Sequence, residues 1–193
     1  RNATYMPLIE TRLPRLVHVL QDEEHRVRAA VLHKLLLHLT RRTLPSSMHA
    51  LIYMVAHDPD DEMRAMVASY TRRNAAAVAP EVRRDAFELV FARVLVLLAQ
   101  HPDLDLSSPR SVAEYAVYID FYLSCVASAQ NVAFLAGVAA AVRRASYPDV
   151  DTPALHTIAE LATTVAERHA ARNGWSTAPA SVALPEPFGA ADD

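Results

Sequence analysis

The chain has 193 residues, 52% of them hydrophobic and 21% charged, which supports a core along most of its length and excludes wholesale disorder. Its formal charge is −3, with arginine supplying every cation except Lys34, so bulk charge gives no drive toward nucleic acid or an anionic membrane. The only glycines are Gly137, Gly174 and Gly189, too few for the phosphate-cradling loops and tight hairpins of nucleotide enzymes or β proteins. The lone Cys125 excludes an internal disulfide and fits a reducing compartment. No apolar run approaches the roughly 18 residues that span a bilayer, and no signal peptide is visible. The chain opens at Arg1 rather than Met, as expected of a fragment.

Apolar residues recur at helical spacing in chain order. Leu13, Leu16, Val17 and Leu20 make the first stripe, and Leu32, Leu35, Leu36 and Leu39 the second. Phe87, Val90, Phe91, Val94 and Leu98 make a later one. Val112, Tyr115, Ala116, Ile119, Tyr122, Leu123 and Val126 form the clearest. Val132, Leu135, Val138 and Val142 follow, and Leu155, Ile158, Ala162 and Val165 are the last. Ser108-Pro109 and Thr152-Pro153 read as a capping side chain before a first-turn proline, and Asn173-Gly174 as a helix stop. The spacing predicts helices over about 6–20, 24–41, 46–57, 60–73, 81–100, 109–127, 130–145 and 153–172. Short connections make successive helices antiparallel. No segment alternates as a strand would, so the fold class is all-α.

An internal repeat organises these helices. Val19, Asp22, Val27 and Arg28 are matched 36 residues later by Val55, Asp58, Met63 and Arg64. Gln100-His101-Pro102-Asp103 echoes His57-Asp58-Pro59-Asp60. An acidic turn inside a helix pair, followed by an apolar-Arg step, is similar to the HEAT repeat. The expected architecture is a HEAT-type α-solenoid of about four helical hairpins over 1–175, with an extended or partly disordered tail over 176–193.

No catalytic constellation accompanies this pattern. The nine histidines include no HExxH, and His33 and His38 stand five apart on different helix faces. There is no GxSxG, Walker loop or GxGxxG. Cys125, between Leu123 and Val126, reads as a buried structural thiol. Asp60-Asp61 and Asp103/Asp105 sit in turns at helix N-termini, where carboxylates are favoured anyway. The expectation is a protein that is not an enzyme and needs no cofactor, metal or small-molecule substrate.

Placed on a solenoid, the charges separate. One edge collects the intra-pair acids Asp22, Glu23, Glu24, Asp58, Asp60, Asp61, Glu62, Asp103, Asp105, Asp149 and Asp151. The other collects Arg41, Arg42, Arg72, Arg73, Arg83, Arg84, Arg168 and Arg172, with Arg143-Arg144 displaced onto the acidic side. Helix capping accounts for such a pattern, and so does a docking rail for an acidic peptide or nucleic acid. Tyr118 and Phe121 cannot share the stripe of Tyr115, Ile119 and Tyr122, so they face another helix or a partner. Arg72, Arg73, Arg83, Arg84, Tyr118 and Phe121 are therefore the candidate partner-binding residues.

Four stretches resemble one family. They are Leu44-Pro45 through Ala56-His57-Asp58-Pro59 with Arg64, Tyr70 and Arg72-Arg73-Asn74; Leu97-Leu98-Ala99-Gln100-His101-Pro102-Asp103-Leu104; Phe121 through Cys125 to Asn131; and Asn173-Gly174-Trp175 with Val182-Ala183-Leu184-Pro185. Their order and spacing over about 40–188 resemble the C-terminal HEAT region of the precocious-dissociation-of-sisters (Pds5) family of cohesin regulators, the ending being of fungal type. The resemblance implies a nuclear, chromosome-associated scaffold without membrane attachment. Its implied partners are the kleisin subunit of cohesin, the wings-apart-like releasing factor and the cohesin acetyltransferase, with chromatin reached indirectly. Alternatives open at this point are an unrelated HEAT adaptor for other protein partners and a direct nucleic-acid binder using the arginine rim.

Overall fold

A computed structural model describes residues 13–178 and 180–191. The predicted start of the first helix, 6–12, lies outside the described residues. Among the described residues eight helices follow in order: α1 Leu13–Leu20, α2 His25–Thr40, α3 over 46–57, α4 Asp61–Ala76, α5 over 80–99, α6 over 109–126, α7 Val132–Val142 and α8 Thr152–Asn173. Each overlaps its predicted range. The termini obey local chemistry. Ser108 accepts the Ser111 amide at 3.3 Å and Pro109 opens α6. At α8 the cap is Asp151 rather than Thr152: its Oδ2 accepts the Ala154 amide at 3.1 Å, and Thr152 is already helical. Gly174 ends α8 at φ 69°, where Trp175 N–H reaches Ala170 O at 2.9 Å and Gly174 N–H reaches Ala171 O at 3.2 Å, the paired bonds of a Schellman stop.

The helices stack in two layers as a HEAT-type α-solenoid. Neighbours α1, α3, α5 and α7 pack side by side in one layer, and α2, α4, α6 and α8 in the other. Across the layers α3 meets α6 and α5 meets α8. Turns within hairpins gather on one edge, and turns between hairpins on the opposite edge.

Because α5 is enclosed by α3, α7 and α8 and meets α6 through Phe91 and Tyr122, every residue of Val90–Ala99 is buried. This explains why its apolar pattern spreads beyond one stripe. Its entry is a single π turn, Arg84–Glu88, in which Leu89 N–H bonds Arg84 O at 2.8 Å. That irregularity leaves carbonyls without regular partners, and Tyr122 Oη donates to Phe87 O and lies 3.3 Å from Glu88 O. The Tyr122 ring stacks on Phe91 at 4.6 Å and meets Tyr53 edge-on at 4.8 Å, joining α6 to α5 and α3.

After Trp175 the backbone returns across the last hairpin as an extended strap. Val182, Leu184 and Phe188 pack partly buried on the core. Phe188 meets Tyr147 at 4.9 Å, and β2 (Gly189–Ala190) pairs antiparallel with β1 (Ala145–Ser146). Gly137 on α7 lets the strap approach, since a Cβ there would lie 2.6 Å from Ala180 O and 2.9 Å from Val182 Cγ2. Gly137→Val should lift the strap: limited proteolysis of the full chain should cut within 176–191 faster than in the wild type, while the helical signal at room temperature is retained.

Candidate functional site

The acidic edge is a bonded structure as well as a charged one. Arg28 of α2 crosses from the first hairpin to the second, with Nε 2.7 Å from Asp58 Oδ2 and Nη2 3.3 Å from Oδ1. Its Nη1 donates to the carbonyls of Asp22 at 2.9 Å and Glu23 at 3.1 Å. Both side chains are buried, 9% and 2% exposed. One repeat later, Arg64 Nη1 donates to Asp58 O as Arg28 does to Asp22 O, and its Nη2 pairs with Asp61. The 36-residue sequence repeat is therefore a repeated Arg-to-turn-carbonyl bond, six residues back each time. His25 adds a contact to Asp60 at 2.8 Å; the Asp60 carboxyl is held below the usual range by the Glu62 amide, then by His25.

The third turn joins through neutral groups. His101 Nε2 lies 3.1 Å from Gln21 Oε1, and its Nδ1 accepts from the Asp103 amide at 3.3 Å, with Tyr115 Oη at 3.1 Å. These partners require a proton on Nε2 and none on Nδ1. Gln21 Nε2 in turn donates to Tyr118 Oη at 2.9 Å. Tyr118 is thus 6% exposed, in edge contact with His57 at 4.6 Å, and its place is in repeat-to-repeat packing. Phe121 is half-buried and lines a groove with Val117 and Val165.

On the opposite edge the four candidate arginines divide. Arg72 and Arg73 are exposed, their Nε atoms folded back onto Ala68 O at 3.2 Å and Ser69 O at 3.4 Å. Arg83 and Arg84 converge on Glu88, at 3.3 Å and 3.9 Å, and Arg84 also lies 5.0 Å over the Phe134 ring. Glu88 is 3% exposed and accepts from Asn131 Nδ2 at 3.0 Å. Sequence reasoning missed Glu88: an acid four residues past Arg84 looks like a surface pair, and only the π turn rotates it inward. Arg168 and Arg172, assigned to the basic edge from sequence, lie beside α6, with Arg172 Nη1 3.8 Å from Asp120.

Burial pushes the Cys125 thiol up to about 11, so at neutral pH it is protonated and unreactive. Among the described residues no three His, Cys, Asp or Glu side chains are placed to hold a metal, and no helix is long and apolar enough to cross a membrane.

Two histidines make stability pH-dependent. His49, 6% exposed between Ser46 O and Tyr70 Oη, is shifted down by burial, against the opposing bond to Ser46. His101 is shifted down by burial too, with Asp103 opposing. In each, the unfolded chain takes up the proton first as pH falls below 6.5. The stability held above that value is then lost as pH falls toward the depressed folded pKa. The thermal midpoint should fall between about pH 7 and pH 5, above the carboxylate range, and His49→Gln should flatten that fall even if it lowers the midpoint throughout.

The model of the family described as "Sister chromatid cohesion protein PDS5 protein" matches residues 2–188. A curated relative, the "Sister chromatid cohesion protein pds5" of Schizosaccharomyces pombe, is 27% identical over 169 residues, 86% of this chain. The chain spans 14% of that relative's length. A match over nearly the whole chain, on a stack of helical hairpins, makes this chain a member of the PDS5 family of sister chromatid cohesion proteins.

Proposed function

We propose that this chain is a non-enzymatic scaffold segment of a cohesin regulator, which holds a surface rigid for the kleisin subunit and so helps maintain and release sister-chromatid cohesion. The family match over residues 2–188 carries the reading. The physics of the chain is consistent with it. Among the buried ionisable groups, Arg28 and Asp58 form an ion pair that joins two hairpins, Glu88 pairs with Arg83 and Arg84 within α5, and the Cys125 thiol is protonated. Such groups brace a surface rather than perform proton or acyl transfer. A two-layer stack presents that surface with little reorganisation on binding, which keeps the entropic cost of association low. The wings-apart-like releasing factor and the cohesin acetyltransferase are the further partners of this reading, and a chromosome-associated place in the nucleus follows from it. The arginine edge is a weaker basis for nucleic-acid binding, because Arg83 and Arg84 already face Glu88. The intact full-length protein should retain the N-terminal half of the kleisin in a pull-down. A folded protein that captures none of it would overturn the reading.

A further inference from the structure

A groove of about 440 Å³ lies between α6 and α8 and reaches α4, within the size range of sites that receive ligand side chains. Its apolar part is Val117, Phe121 and Val165, and Val117 remains 45% exposed. A single exposed valine is ordinary. Here it stands in a recess beside the half-buried ring of Phe121.

The rim is unbalanced. Arg64, Arg168 and Arg172 face the groove against one carboxylate, Asp120. Arg64 is held by Asp61 and Asp58 O. Asp120 is shared between Arg172 at 3.8 Å and His169 at 3.5 Å. Arg168 has no hydrogen-bond or ion-pair partner among the described residues, and it stands one helical turn from Arg172 on the same face. The groove therefore combines an apolar floor with guanidinium donors whose partners are incomplete. A basic segment would add repulsion, and a purely apolar one would leave Arg168 unanswered. A carboxylate can take Arg168 by a bidentate bond and draw Arg172 from its long contact with Asp120.

We propose that the α4–α6–α8 groove docks an extended protein segment that places an apolar side chain against Val117 and Phe121 and a neighbouring carboxylate against Arg168 and Arg172. This rests on the scaffold reading and adds the place and chemistry of a contact.

The test uses the full chain and a fluorescein-labelled short peptide carrying leucines one or two residues from glutamates, read by anisotropy. Its lysine-for-glutamate counterpart should bind about tenfold more weakly or worse. Arg168→Glu with Arg172→Glu should cost a similar factor, as should Val117→Asp, while Arg168→Lys with Arg172→Lys keeps part of the affinity and Arg26→Glu changes nothing. Both arginines are exposed, so folding is checked by the thermal midpoint. Equal binding of the two peptides, or a double reversal without effect, would overturn the proposal. So would a duplex DNA oligonucleotide that binds as tightly and through the same arginines, since the groove would then be a general polyanion site. Titrating the kleisin half in parallel separates the two readings: an acidic peptide held by the groove beside a kleisin that does not bind leaves the groove standing and removes the kleisin.

Discussion

The buried pair of Arg28 and Asp58 sets how the first hairpin sits on the second. Taking two charges out of water costs several kcal/mol each, so a pair this enclosed is tolerable only with good geometry and further hydrogen bonds to the groups the pair leaves over. Those conditions are met. Arg28 divides its donors between the Asp58 carboxylate and two carbonyls of its own turn, and Asp58 Oδ1 also accepts the Asp60 amide at 2.9 Å. A slip of one residue between the hairpins would strand one charge or both. The pair's contribution is therefore to register more than to net stability, while apolar contacts such as Phe91 on Tyr122 supply the driving force. Once register is fixed, the acidic turns of the first two hairpins align on one edge.

Much of this was legible in the residues. Helical period located each of the eight helices among the described residues, because apolar stripes on short-looped helices leave few other packings. Asn173-Gly174 and Ser108-Pro109 marked ends whose chemistry is local. The 36-residue repeat of Asp22 and Arg28 in Asp58 and Arg64 marked the hairpin unit. What it could not supply was the bond across units: a repeat shows that two turns are alike, not that the arginine of one reaches the carboxylate of the next.

The remaining gaps share a physical reason. Glu88 faces inward because the helix carries one extra residue per turn at Arg84–Glu88, and a single π turn has no sequence period. Tyr118 could face either another helix or a partner on its sequence, and what decides for packing is a hydroxyl contact with Gln21, 97 residues away. Thr152 lost the capping role to Asp151 because both are good caps standing side by side. The strap is extended, as its Ala-, Pro- and Ser-rich composition suggests, but its docking depends on Gly137, a glycine in mid-helix whose use appears only when Ala180 is set against it. Surface recognition was the least legible of all. Val117, Asp120, Phe121, Arg168 and Arg172 come from two helices, and the nearest of them across the groove in sequence, Phe121 and Arg168, are 47 residues apart.

A double-mutant cycle on Arg28 and Asp58 tests the central claim most directly. By equilibrium unfolding, Arg28→Ala and Asp58→Ala should each cost about 3 kcal/mol, since each strands the other's charge in the interior. The double variant should lose well under the sum, giving a coupling of about 2 kcal/mol. Single losses that add to within about 0.5 kcal/mol would mean that the two side chains act independently, and that the hairpins are held in register by something else.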